Sequence, residues 1–142
     1  MNVRQLSTRY GRKLRKRDYL PILFDFAVSA TRDITETVSL PARMARFIIA
    51  DLTDPSSIPK ELEAIVPFVA VPVQPLLERS SPPFSMFKDL GKYEWMIPIY
   101  QYEGLEPPFA TLAEKVVAPA ELKVKALAER RCMIEAELIK PQ

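Results

Sequence analysis

The stretch Arg46-Phe-Ile-Ile-Ala-Asp51, followed by Leu52-Thr-Asp-Pro-Ser-Ser57, decides the fold of this chain. Four consecutive apolar residues that end on a carboxylate are typical of a short buried strand. The residues that follow are turn formers, and Ser57 is placed to cap a helix predicted over Ile58 to Val66. A strand, a tight turn and a helix in this order predict one β–α unit.

The same alternation continues toward the C-terminus. The segment Val69 to Leu77 is strand-like, but Pro72 and Pro75 predict an edge or irregular strand, because proline cannot donate a ladder hydrogen bond. A short helix is predicted over Phe84 to Leu90. Trp95 to Tyr102 is predicted as the last strand, despite its internal proline.

The last predicted element is a helix over Ala110 to Lys140, with a break or kink at Pro119. Glu121 and Lys125 are four residues apart, which favours an ion pair along its surface.

On the N-terminal side, Tyr19 to Phe26 is an apolar run that predicts another strand. Asp33 and Glu36 have the spacing of a helix N-cap with its partner, and helical spacing continues to Ala45. Pro41 lies inside this helix and is expected to kink or split it.

The alternation predicts an α/β fold, with an open and mostly parallel sheet of about four strands and helices on both faces. No domain boundary is visible, so we expect a single domain over residues 1–142. It would comprise a basic arm or helix at 1–17, the central sheet, and the C-terminal helix at 110–140.

The composition excludes several kinds of site. The chain has no histidine and one cysteine, Cys132, so a zinc site and a His-based catalytic triad are not expected. Three glycines exclude a glycine-rich phosphate loop. No apolar stretch is long enough to span a membrane, no secretory signal is visible, and cysteine usage predicts a reducing, cytoplasmic setting.

Residues 1–17 contain basic side chains and no acidic ones, which raises the possibility of a nucleic-acid partner. We favour a solvated helix face or a frayed start instead, because only Tyr10 offers an aromatic ring and no nucleic-acid motif follows. The basic residues are Arg4, Arg9, Arg12, Lys13, Arg15, Lys16 and Arg17.

The candidate site lies at the predicted carboxyl ends of the strands, where open α/β sheets bind their ligands. Asp25, Asp51 and Tyr102 fall at such ends. Ser57 and the N–H groups that open the next helix could hold an anion or a sugar hydroxyl, and Glu61 lies one turn further on. The spacing fits a two-carboxylate site. The alternative is that Asp51 caps the turn and Glu61 complements the helix dipole.

The residues Ile48-Ile-Ala-Asp-Leu-Thr53 and Glu61-Leu62 resemble a signature of the nucleoside deoxyribosyltransferase and TIR-like superfamily. A wider stretch, roughly residues 14–125, is similar to an uncharacterised bacterial TIR-like family. That similarity rests on Leu14 to Phe26, Arg46 to Ile65 and Val71 to Pro75.

The resemblance implies a flavodoxin-like fold and a nucleoside or NAD as substrate, with no separate cofactor and no metal. It implies that Glu61 is the catalytic glutamate and that Asp51 orients the sugar or base. The substrate-binding residues that we predict are Phe24, which could stack on a ring, with Asp25, Thr53 and Ser57.

The chain departs from that family at its start. Met1 to Arg12 is polar and basic, so the first strand of the family is expected to be missing, and a partner copy could cover the exposed sheet edge. Two functions therefore stay open. One is an enzyme that cleaves or exchanges an N-glycosidic bond, possibly in bacterial signalling or defence; the other is a non-catalytic nucleotide-binding or protein-assembly module.

Overall fold

A computed structural model describes residues 11–22, 34–52, 58–80, 87–103 and 113–139, with the backbone alone for 34–38, 58–61, 64, 87 and 113. A helical segment at 11–15 precedes the main elements. These are, in order, α1 (Ile34–Met44), β1 (Ile48–Asp51), α2 (Ile58–Val69), β2 (Val73–Glu78), α3 (Phe87–Leu90), β3 (Tyr100–Tyr102), a π-helix (Ala113–Val117) and α4 (Ala118–Leu138).

The strands form one open parallel sheet in the order β1-β2-β3. Ile48 pairs with Val73 at the start of the sheet, and Leu76 pairs with Tyr100 further along. The described part of the chain therefore confirms an α/β fold with a small parallel sheet.

One face of the sheet packs against the connecting helices. Leu62 and Val66 of α2 are buried against Val73 and Leu77 of β2, and Leu90 of α3 joins the same cluster. Both crossover helices lie on one face because the strand order runs in one direction and crossovers normally share one hand.

The other face is covered by segments from both ends of the described chain. Leu14 of the N-terminal helical segment and the valines at 116 and 117 of the π-helix pack with Leu76 and Tyr102. The sheet therefore has helical elements on both faces, as the alternating sequence pattern predicts.

The sequence predicts that the second strand is an edge or irregular strand. The edge position is wrong, because β2 lies in the middle of the sheet, but its pairing with the neighbouring segment is irregular. A bulge accommodates its proline. Val73 forms an isolated bridge with Met96, whereas Leu76 pairs with Tyr100, so the β3 side has one more residue than β2 between these points. Pro75 lies at this interruption in the pairing. No regular hydrogen bond between the strands is lost there because proline lacks an N–H.

The buried side chain of Gln74 completes the bulge. Its Nε2 donates to the carbonyl oxygens of Pro75 at 3.1 Å and Pro98 at 3.0 Å. The side-chain amide thus donates hydrogen bonds to backbone carbonyls where the regular ladder is interrupted. The bulge also explains why the last strand is shorter than the predicted Trp95 to Tyr102 and begins only at Tyr100.

The predicted N-terminal strand is only partly within the described residues. Tyr19 to Ile22 has no regular secondary structure, so the strand prediction is wrong for these four positions. They follow a helical turn that ends at Asp18, whose φ of 64° redirects the chain. The rest of that predicted strand lies outside the described residues.

The helices follow the predictions more closely. Helix α1 continues through Pro41 and is not split. Helix α2 continues past the predicted end to Val69, with Pro67 inside it, and stops at Ala70, whose φ is 49°. The break predicted near Pro119 is observed as the change from the π-helix to α4. No helix in the described ranges is long and apolar enough to cross a membrane.

Candidate functional site

The structure places two of the six predicted site residues. Asp51 is the last residue of β1 and lies at the carboxyl edge of the sheet. Glu61 lies in the first turn of α2, where the backbone alone is described. Phe24, Asp25, Thr53 and Ser57 lie outside the described residues.

Asp51 accepts a hydrogen bond from a tyrosine on the opposite outer strand of the sheet. The hydroxyl of Tyr102 donates to Oδ2 of Asp51 at 3.0 Å. The two residues belong to β1 and β3, so the tyrosine side chain crosses β2 to reach the carboxylate. Tyr102 is only 6% exposed and Asp51 is half-buried, which fixes the phenol and leaves the carboxylate within reach of solvent.

A second carboxylate ends the middle strand. Glu78 is the last residue of β2 and pairs with Tyr102 in the parallel register. Its Oε2 accepts from the backbone N–H of Ser80 at 3.0 Å and from the Ser80 hydroxyl. Three strands thus each bring one polar residue to the carboxyl edge: Asp51, Glu78 and Tyr102.

An ion pair borders this edge. The guanidinium of Arg79 contacts the carboxylate of Glu103, and the Arg79 N–H donates to the Tyr102 carbonyl at 2.8 Å. Both charged side chains are exposed. The pair lies next to the ends of β2 and β3 and contributes little stability, because exposed ion pairs are screened by water.

The chemistry of the edge suits a hydroxyl-rich ligand. Carboxylates accept hydrogen bonds from sugar hydroxyls, while the tyrosine hydroxyl orients the Asp51 carboxylate through one of its oxygens. In the described part of the chain, no group of three or more Cys, Asp or Glu residues is arranged to hold a metal ion.

Sequence reasoning missed part of this arrangement. The sequence predicts Tyr102 at a strand end but does not predict its contact with Asp51, and Glu78 is not among the predicted site residues. A carboxylate directly after a predicted strand, as at Asp51, is a signal that would also have selected Glu78. The bond between Tyr102 and Asp51 depends on strand order, which this sequence pattern does not specify.

A different polar cluster lies at the amino edge of the sheet. Arg46 donates from Nε to Oε1 of Glu121 at 2.8 Å and from a terminal nitrogen to Oε2 at 2.7 Å. The Tyr19 hydroxyl donates to Oε1 of the same glutamate at 2.7 Å. Glu121 therefore does not depend on the predicted partner Lys125, because a two-pronged guanidinium matches a carboxylate better than an ammonium.

The pKa values of this cluster reflect its contacts. The Arg46 guanidinium, followed by the Tyr19 hydroxyl, lowers the pKa of Glu121 against an opposing effect of burial. Burial, then the bond to Glu121, raises the pKa of Tyr19. Tyr19, Arg46 and Glu121 stabilise one another. Such a cluster typically has a structural role, because it links three separate segments of the chain.

A cavity of about 580 Å³ lies at this same amino edge. Its wall includes residues that precede each strand, at 43–46, 69–72 and 94–95, together with one side of α4. This position is opposite to the carboxyl edge, where the sequence predicts ligand binding.

The structure describes residues 11–17 of the basic arm, and it also describes Cys132. The side chains at 12, 13 and 15–17 are exposed, as expected of a solvated helix face. Cys132 is exposed on α4.

Comparison of the chain with models of protein families, with curated proteins and with solved structures found no match.

Proposed function

We propose that this chain is a nucleotide-linked α/β domain that cleaves or exchanges an N-glycosidic bond in NAD or a nucleoside. The observation that carries the proposal is the hydrogen bond from Tyr102 to Asp51 at the carboxyl edge of the parallel sheet. A fixed carboxylate at this edge is where an open α/β sheet would orient a sugar. A role in bacterial signalling or defence belongs to the same proposal.

The proposal assigns the chemical step to Glu61. The C1′–N bond breaks, the bond electrons leave with the base, and positive charge develops on the ribose ring. The Glu61 carboxylate stabilises that charge or attacks C1′, and water or an acceptor base then completes the reaction. Position 61 in the first turn of α2 follows β1 closely, which supports a role at the same edge.

Asp51 and Tyr102 have supporting roles in this proposal. Asp51 accepts hydrogen bonds from the ribose hydroxyls, and Tyr102 is a positioning residue that holds the carboxylate. Glu78, at the end of the neighbouring strand, extends the polar surface toward the rest of the ligand. The resemblance adds Phe24, Asp25, Thr53 and Ser57 as further proposed ligand contacts.

Turnover of NAD and a panel of nucleosides by the purified full chain, followed by chromatography, tests the proposal. We expect release of nicotinamide or a free base, and a loss of about 100-fold or more in kcat for Glu61→Gln. Glu63→Gln is the matched control, because Glu63 is an exposed glutamate two positions away on α2. Equal losses in both variants, or a loss in Glu63→Gln alone, would contradict the role of Glu61.

Tyr102→Phe separates positioning from chemistry. The variant removes one hydroxyl and one hydrogen bond, so we expect weaker ligand binding by roughly five- to tenfold, seen as a higher KM. The kcat should change less than it does in Glu61→Gln. An unchanged KM in a folded variant would show that the bond to Asp51 is structural only.

The second candidate is a non-catalytic nucleotide-binding or assembly module. The length and exposure of α4 favour it, since such a helix offers a surface for another chain. Nucleotide binding by calorimetry without any turnover would support this candidate over the enzyme.

A further inference from the structure

The outer half of α4 extends away from the rest of the described fold. Every side chain from position 128 to 139 is exposed, on all sides of the helix. Twelve residues correspond to roughly 18 Å of helix. Helices without tertiary contacts are only marginally stable in water, so a further contact would stabilise this part of α4.

One side of α4 carries apolar residues at alternating spacings of three and four. Val124 and Leu127 are half-buried and line the cavity at the amino edge, and Ile134 lines its outer end. Leu138 continues the same row to the helix tip and is 79% exposed. Arg131 occupies the position between Leu127 and Ile134. This spacing is the one used for helix–helix seams.

The charges along this row are unevenly distributed. The cavity wall contains Arg43, Arg46, Arg130 and Arg131. Arg46 is paired with Glu121, and Arg130 contacts Glu94 at 2.5 Å. Within the described residues, Arg43 and Arg131 have no acidic partner.

The helix tip has the opposite character. From Cys132 to Ile139 it carries Glu135 and Glu137 and no basic side chain. The same eight residues include Met133, Ile134, Leu138 and Ile139, all exposed. The tip is thus apolar and acidic, and the cavity wall is apolar and basic.

We propose that two copies of this chain pair through antiparallel α4 helices, with the tip of each helix lying in the groove of the other. A two-fold axis near residues 131–134 places Leu138 of one copy beside Leu127 of the second. It also brings Glu135 and Glu137 close to Arg130 and Arg131 across the seam. This inference is independent of the proposed catalytic function.

The occupant is a second copy because both complementary surfaces belong to one chain. An antiparallel arrangement satisfies both grooves at once and closes the assembly as a dimer. It moves the opposing Arg131 side chains out of register, whereas a parallel pair would place them against each other.

Sedimentation equilibrium of the full chain over a range of concentrations tests the pairing. We expect a monomer–dimer equilibrium that Leu138→Ser weakens by about tenfold, since an apolar side chain at the seam is lost. Leu122→Ser is the matched control, because Leu122 is 69% exposed on another side of α4. A monomer at all concentrations, or equal weakening by both substitutions, would overturn the proposal.

A charge exchange tests the register. Arg131→Glu alone and Glu135→Arg alone should each weaken the dimer, and the double variant should recover part of the lost affinity. Circular dichroism of each variant checks that the fold is retained. A double variant as weak as the sum of the two single variants would contradict contact between these residues across the seam.

The natural thiol offers an independent measurement. Cys132 is the single cysteine of the chain and lies near the proposed axis. A spin label there should give a short, defined distance between the copies, and the fraction of molecules that show it should fall in Leu138→Ser at the same concentration. A dimer without a defined short distance would show that another surface mediates pairing.

Discussion

Ala70 adopts a left-handed backbone conformation where α2 ends. An L-residue with a Cβ is disfavoured in this region by roughly 1–2 kcal/mol, which is why glycine is common after helices. The next residue, Val71, is buried against Ile65, so the chain must turn at this point.

We therefore expect Ala70→Gly to stabilise the fold. Relief of backbone strain outweighs the greater flexibility of glycine in the unfolded chain, for a gain of about 0.5–1 kcal/mol. Urea unfolding with an unchanged m-value measures it. Asp18→Gly is a useful comparison, because aspartate tolerates this conformation and should gain less. A loss of stability in Ala70→Gly would argue against strain at this position.

Glu121 gives the fold a dependence on acid pH. Its pKa in the folded protein lies below the usual 4.5, chiefly because of the Arg46 guanidinium. Its contribution is therefore present above the unfolded-state pKa and is lost as the pH falls through the folded-state pKa. Because Arg46 is 60% exposed at its side chain, we expect less than about 1 kcal/mol.

Glu121→Gln should lower the free energy of unfolding at pH 7, and this difference from wild type should disappear as the pH falls through the folded-state pKa of Glu121. Glu129→Gln, an exposed glutamate on the same helix, is the control and should change little. Unfolding free energies at several pH values compare the two. A constant difference between wild type and Glu121→Gln across this range would contradict an ionised partner for Arg46.

Tyr19 acts at the other end of the pH scale. Its pKa is raised above the usual 10.0, so its contribution is present below that value and is lost as the pH rises through the folded-state pKa. The absorbance titration of Tyr19→Phe, compared with wild type, should lack one phenol that ionises late. A wild-type titration without such a late phenol would contradict the half-buried bond to Glu121.

At the scale of elements, the bulge between β2 and β3 depends on one buried amide. Gln74 is 1% exposed and donates to two backbone carbonyls. We expect Gln74→Leu to cost about 1–3 kcal/mol, because two buried acceptors lose a donor. Gln74→Glu should cost more, since it places a carboxylate against those carbonyls.

Thermal unfolding of both variants checks this order. If Gln74→Leu is as stable as wild type, the amide is not needed at the bulge.

The local sequence patterns predicted the elements better than their arrangement. The apolar run before Asp51 gave β1, and Ser57 with the following periodicity gave the start of α2, because these signals lie within one element. The position of β2 could not be predicted in this way. Pro75 favours an edge or irregular strand. An extra residue in the neighbouring segment and the Gln74 amide allow the proline in the middle of the sheet.

The candidate site, too, could be predicted from local sequence patterns only in part. Asp51 was predicted from its place after a strand, and it does lie at the carboxyl edge. Its partner Tyr102 is 51 residues away in the sequence, so their contact follows from the parallel order of three strands. Glu121 likewise pairs with Arg46, 75 residues away in the sequence, and not with Lys125 on the same helix. That contact also depends on the tertiary structure.

At the scale of the whole molecule, the carboxyl and amino edges of the sheet carry different groups of polar residues. The carboxyl edge carries Asp51, Glu78 and Tyr102, one from each strand. The amino edge carries the Glu121 cluster and the arginine-lined cavity. Under the two proposals, chemistry and pairing use opposite edges, so Leu138→Ser should leave turnover by the monomer unchanged.

The Glu121 cluster also bears on the order of folding. It joins residues separated by 75 and 102 positions, whereas each β–α–β crossover joins neighbouring segments. Closing so long a loop costs entropy before the contact can repay it. We therefore expect the cluster to form late in folding, after the sheet, so that loss of its bonds mainly speeds unfolding.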